Sequence, residues 1–269
     1  MRIKERLRRV LPSTVRPRRI LAGPLKGQYI VTSWHDYPAA LLGYAESGLM
    51  SWFANTVRPG ETWLDLGAHY GYMSLALCRY VGKAGRVFAF EPFLNTAGHL
   101  SATRQANRLS QLTIVPLALA NNREITVVNA QICKAMAQPL ATPSESAWVE
   151  PIHCVALDSL WNGLCGADDT ISGIKMDVEG MEGQALQGMI SLLRKHTPKL
   201  VVEVHKSRGV AFEALAPVLR EAGYCTAGRL IGKTTSVDAS YEFSVDQSSE
   251  AKLMPHWQEQ TSIATFVGK

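Results

Sequence analysis

From residue 52 onward, apolar positions alternate between short continuous runs and stretches of helical spacing. Thr62-Trp63-Leu64-Asp65-Leu66 is an apolar run that breaks at Gly67, and Arg86-Val87-Phe88-Ala89-Phe90 is a second that ends in Glu91-Pro92. Between them, Leu75, Leu77, Cys78 and Val81 recur at a helical period. Residues 96–109 have helical composition and 113–115 read as a third strand. A fourth strand at 174–176 runs into Asp177, and a fifth at 200–204 ends at His205. One helix is predicted over 183–196, with Leu186, Met189, Ile190 and Leu193 on one face. Another covers 210–222 and is stopped by Gly223. Buried strands alternating with helices predict a parallel sheet covered on both faces.

The rhythm loosens elsewhere. Residues 125–128 read as a strand, but 133–150 have no period, so 118–151 is taken as an inserted hairpin and loop facing the substrate. Weak strand signals follow over 224–269, the last at 264–267. Residues 1–20 predict a short basic amphipathic helix before Pro12 and then an irregular Pro/Arg-rich stretch. The expected division is a basic arm and lead-in over 1–50, and one domain over 51–269.

Charge changes this picture little. The net charge of +5 comes from the arm, where Arg2, Lys4, Arg6, Arg8, Arg9, Arg16, Arg18 and Arg19 face only Glu5. The body is left near neutrality, with no electrostatic reason to expect a nucleic-acid partner. The arm reads as a solvated segment, or else as a surface (residues 1–19) for anionic lipid or a charged substrate. No run approaches the roughly 20 apolar residues of a membrane span, and no apolar segment follows the basic start as in a secretory signal. Five scattered cysteines without a C-x-x-C pair read as free thiols in a reducing, cytoplasmic compartment, with no zinc cluster.

Four constellations carry chemistry. The first, Asp65-Leu66-Gly67-Ala68-His69-Tyr70-Gly71, joins a strand to a helix at the end where open α/β sheets bind ligands. It lacks G-x-G-x-x-G and the Lys-Ser/Thr of a phosphate loop. An acid there repels pyrophosphate but suits the ammonium of S-adenosylmethionine; the bland reading is a turn that needs glycines for packing. The second is Glu91, one strand over, a candidate for the ribose hydroxyls of an adenosine-type ligand. The third is Lys175-Met176-Asp177-Val178-Glu179-Gly180-Met181-Glu182. Its carboxylates suit a general base, a divalent cation or the methionine end of the cofactor, although Glu182 also suits a helix start through the dipole. The fourth is Glu203-Val204-His205, where period two puts the acid and the imidazole on one side.

These residues resemble the FkbM family of methyltransferases. The resemblance rests on Asp65 to Tyr72, Phe90-Glu91-Pro92, Val155-Ala156-Leu157-Asp158-Ser159-Leu160, Ile174 to Glu182 and Val202-Glu203-Val204-His205, and covers about residues 20–267. It implies a Rossmann-like class I methyltransferase: a mostly parallel, doubly wound α/β sheet with an antiparallel final strand. It also implies S-adenosylmethionine as cofactor, with Asp65, Gly67, Ala68 and Gly71 in the cofactor loop, Glu91 on the ribose and Asp177 facing the cleft. His69 stands where the family very often has Asn, and its side chain is still able to bond the cofactor's carboxylate.

The expected reaction is O-methylation of a small molecule such as a natural product, sugar or glycan. N-methylation and a non-catalytic cofactor-fold binding module are the alternatives. Asp177, Glu203 and His205 are the candidate catalytic residues. A metal-free route, with His205 taking the proton, is preferred over a divalent cation held by these three side chains.

Overall fold

In the computed structural model, residues 11–129, 149–166, 169–229 and 238–245 are described. The basic helix expected before Pro12, nearly all of 133–150 and the strand at 264–267 lie outside them. The chain opens with β1 (Arg16–Arg19), β2 (Tyr29–Thr32), α1 (Pro38–Leu42) and α2 (Ser47–Thr56). Next come β3 (Thr62–Leu66), α3 (Tyr72–Val81), β4 (Arg86–Phe90), α4 (Leu94–Ala106) and β5 (Leu112–Val115). The region expected as an insertion holds β6 (Ala118–Leu119), β7 (Glu124–Asn129) and β8 (Val149–Val155), and α5 (Leu157–Leu164) follows it. The second half runs through β9 (Gly173–Met176), α6 (Glu182–Gln187), α7 (Ile190–His196), β10 (Lys199–Val204) and a 3-10 turn at Lys206–Arg208. It finishes with α8 (Phe212–Glu221), β11 (Thr226–Arg229) and β12 (Ala239–Ser244).

β3 is buried at all five positions, as a strand covered on both faces must be. It lies inside a seven-stranded sheet of order β11-β12-β10-β9-β3-β4-β5. Pairs from β10 through β5 are parallel, whereas β12 is antiparallel to β10 and β11. The chain winds from β3 outward to β5, then returns to β9 on the other side of β3. That reversal opens a crevice at the carboxyl ends of the strands. β6, β8 and β7 form a separate small sheet, with β7 and β8 antiparallel.

Two differences from the expected elements have clear causes. The helix predicted over 183–196 is two helices, broken at Gly188, where a Cβ would lie 1.8 Å from the Ala120 carbonyl oxygen. The carbonyl of Gly188 accepts from the amide of Asp158 at 2.9 Å. The Asp158 carboxylate in turn accepts from the amides of Ser191 and Leu192 at 2.9 and 3.0 Å, capping α7 from a distant element. The second difference is the lead-in. Arg16–Arg19 pairs in antiparallel register with Tyr29–Thr32, so this part of the arm is a strand rather than irregular. Ile20, Leu25, Ile30 and Leu41 share one core with Trp63, Tyr72 and Leu77, and the division expected at residue 50 falls inside α2.

Candidate active site

The loop leaving β3 is shaped by close backbone approach. Gly67 has φ 78°, and a Cβ there would lie 1.8 Å from the Asp177 carbonyl oxygen. This lets the exits of β3 and β9 touch, a contact open only to glycine. His69 also takes the left-handed region, with φ 51°, a conformation that Asn, Asp and His tolerate better than most residues. Its amide donates to Glu91 Oε2 at 2.8 Å. Gly71 packs against Leu100.

Glu91 is 5% exposed and lines the cleft. Its other oxygen accepts from the amide of Phe93 at 3.1 Å. Burial pushes its carboxyl up to about 7, against the pull of the two amides. The two N–H bonds fix the carboxylate yet leave each oxygen a lone pair, a pair of acceptors that fits the paired hydroxyls of a ribose. Gly67, Ala68 and His69 line the same cleft.

Asp65 departs from the ligand-facing place expected of it. It is fully buried beneath the loop, accepting from the Ser74 hydroxyl at 2.5 Å and pairing with Lys175 Nζ at 3.2 Å. Lys175 also reaches the Gly67 carbonyl at 3.3 Å and Asp177 Oδ2 at 3.5 Å. Burial opposes its charge, but Asp65 and Asp177 raise its pKa above the usual lysine range. The sequence reading gave Lys175 no role; the structure makes it the post on which the loop and the Asp177 rim rest.

Opposite Glu91, Asp177, Glu179 and Glu203 line the cleft. His205 is buried behind them, its Nε2 3.5 Å from Asp177 Oδ1 and 3.6 Å from Glu179 Oε2. Its Nδ1 meets Glu182 Oε1 at 2.6 Å, and that fully buried carboxylate also accepts the Gly180 amide at 3.1 Å. Glu182, weighed above as a dipole partner at a helix start, is therefore the residue that orients His205. Burial works against a charged His205, but Glu182, Asp177 and Glu179 outweigh it and raise its pKa. Burial and the charges of Asp177 and Glu46 push Glu203 up.

Two walls close the cleft. Leu117, Leu119, Ile152 and Cys154 give one apolar side, and Tyr37, Glu46 and Leu49 come from the lead-in. The ring of Tyr37 meets those of His69 and Tyr72 edge-on, with centroids 5.9 and 5.8 Å apart. Nothing in the local pattern marked Tyr37, because its place depends on how the lead-in packs.

The model of the methyltransferase FkbM domain matches residues 65–225, more than half of the chain. The chain belongs to that family. Among solved structures, the FkbM methyltransferase of Methylobacillus flagellatus is 19% identical with a TM-score of 0.50, and the match covers 72% of this chain and 50% of that one. The FkbM chain described here thus spans about half the length of that protein. A SAM-dependent O-methyltransferase of Thermotoga maritima is 12% identical (TM-score 0.47, covering 77% and 67% of the two chains). Fibrillarin of Aeropyrum pernix, with natively bound S-adenosyl-L-methionine, is also 12% identical (TM-score 0.45, covering 85% and 81%). No curated protein matches. The fold is that of the class I methyltransferases. Tyr37, Glu46 and Leu49 lie before the segment matched by the family model.

Proposed function

We propose that this FkbM-family chain transfers a methyl group from S-adenosylmethionine to a hydroxyl oxygen of a small molecule, such as a natural product or a glycan. One observation carries the reading: a single cleft at the carboxyl ends of the strands has the buried Glu91 on one lip and the Asp177–Glu179–Glu203 rim on the other. When bound, the cofactor supplies a methyl group on a positively charged sulfur. Glu91 would hold the ribose hydroxyls, and the backbone from Gly67 to His69 the amino-acid end. An alcohol has a pKa far above 7, so its proton must leave as the methyl arrives. The acidic rim is where that proton would be received, with His205 and Glu182 behind it. Holding the acceptor in line with the methyl, between Tyr37 and the apolar wall, would supply much of the rate.

The test combines binding with turnover. Calorimetry should show S-adenosylhomocysteine binding and NAD not binding. Radiolabelled methyl from S-adenosylmethionine, supplied with a panel of hydroxylated acceptors, should appear in an ether product. Asp177→Asn should lower kcat by about 100-fold or more, the scale of losing a group that assists proton removal. A wild-type rate in that variant would remove the rim from the mechanism, and label on nitrogen would replace the oxygen reading.

A further inference from the structure

We propose that Asp177, Glu203 and His205 form a divalent-cation site at the acceptor end of the cleft, suited to manganese. The inference rests on the methyl-transfer reading above and gives that cleft a metal. It reverses the metal-free preference drawn from the sequence, and geometry is the reason.

One donor atom from each of the three side chains lies within 4.8 Å of the other two. An ion bonded at roughly 2.1–2.4 Å to each donor spans at most about 4.8 Å between any two of them. The spacing of the three donors is therefore within the reach of one ion. The donors sit at the exits of two adjacent parallel strands, which fixes their spacing.

The histidine supplies an independent observation. His205 is 5% exposed, and its Nδ1 is engaged by Glu182 at 2.6 Å. Nε2 is thereby aimed at the carboxylates, yet it stands 3.5 Å from Asp177 and 3.6 Å from Glu179. Those separations exceed the usual N–H···O distance of about 2.9 Å, so the ring faces Asp177 and Glu179 without a short bond to either. A carboxylate on the far nitrogen of an imidazole is the arrangement that fixes the tautomer and direction of a metal-binding histidine. Asp177 is divided in the same way: Oδ2 faces Lys175, and Oδ1 faces His205.

The donor chemistry narrows the ion. Two carboxylates and one imidazole form a mixed oxygen and nitrogen set: the carboxylate majority favours manganese over the imidazole-preferring copper, nickel and zinc, and the imidazole favours it over calcium and magnesium. Asp177 and Glu203 line the cleft, so the ion's open positions would face the acceptor. A hydroxyl bound to such an ion loses its proton far more readily. Glu179, on the same rim and outside the donor set, is placed to receive it.

The test uses the full chain and Mn²⁺ alone as probe, followed by electron paramagnetic resonance, with and without saturating S-adenosylhomocysteine. One Mn²⁺ per chain should bind in both states, and pulsed spectra should show coupling to one imidazole nitrogen. Asp177→Asn, Glu203→Gln and His205→Ala should each weaken binding at least 10-fold. Glu182→Gln, acting through His205, should weaken it about 10- to 100-fold and alter the nitrogen coupling. Circular dichroism and the thermal midpoint of each variant, read in parallel, report whether it is folded. Free Mn²⁺ in the presence of wild-type protein that binds S-adenosylhomocysteine would overturn the metal site and leave the methyl-transfer reading standing. Displacement of Mn²⁺ by S-adenosylhomocysteine would overturn it too, because the rim would then hold the cofactor's ammonium. Tight Mn²⁺ binding by a chain that fails to bind S-adenosylhomocysteine would keep the site and sink the methyl-transfer reading.

Discussion

Glu91 serves two opposed ends. Its carboxylate faces the cleft at 5% exposure, so the charge that suits a ribose diol costs stability while the cleft is empty. Removing it by Glu91→Ala should weaken S-adenosylhomocysteine binding by roughly 1.5–3 kcal/mol, the range for hydrogen bonds to a charged group, as read by calorimetry. The same group sets a pH signature. Its pKa is raised from 4.5 to about 7 in the folded chain, so its contribution to stability is present below pH 4.5 and lost as pH rises through 7. Urea unfolding of the apo protein at pH 5 and pH 8 should show wild type losing about 2–3 kcal/mol relative to Glu91→Gln over that interval. A pH-independent difference between the two proteins would mean that Glu91 is solvated. His69 belongs to the same scale: its φ is 51°, a left-handed conformation that His, like Asn and Asp, tolerates better than most residues.

Among the elements, the break between α6 and α7 shows how a string that carries a family resemblance can serve packing. Asp158 belongs to the Val155 to Leu160 motif, yet its carboxylate takes the amides of Ser191 and Leu192, and none of the three residues lines the cleft. Asp158→Ala should therefore cost about 1 kcal/mol of stability, the usual worth of a helix cap, by denaturant midpoint. Its S-adenosylhomocysteine affinity should equal that of wild type; a lost affinity would show that α7 reports to the site. The βα loop behaves differently. Gly67 brings the exits of β3 and β9 into contact, so its local geometry and the position of Asp177 are one feature.

Across the whole molecule, the lead-in is part of the domain. Thr103 of α4 is fully buried; its hydroxyl accepts the Val31 amide at 2.9 Å and faces the Tyr70 carbonyl at 3.4 Å. It thereby joins β2 to the loop that leaves β3. Asn107 completes the seam by accepting from the amide of Tyr29 at 2.8 Å and donating to its carbonyl at 2.6 Å, as a neighbouring strand would. Thr103→Val keeps the shape but strands a buried amide, and should cost about 1–3 kcal/mol by chemical denaturation. An unchanged midpoint would mean that the lead-in folds independently of the sheet. Because Tyr37 and Glu46 line the cleft, this seam also holds one wall of the site.

What the sequence determined by itself was the order of the strands, their buried character and the acids at their ends. A parallel strand covered on both faces must be a largely apolar run, and the residues about its carboxyl end lie at or beside the cleft. Glu91, Asp177 and Glu203 were legible for that reason. Only the tertiary structure decided where side chains point once neighbours compete for them. Asp65 turns under the loop because Lys175 and Ser74 claim it, and Glu182 reaches a histidine 23 residues away. The single periodic helix splits because Gly188 meets a carbonyl from Ala120. Periodicity records which face of an element is dry; it carries no information on which distant group will meet that face, and the acidic rim and the lead-in wall are made of such meetings.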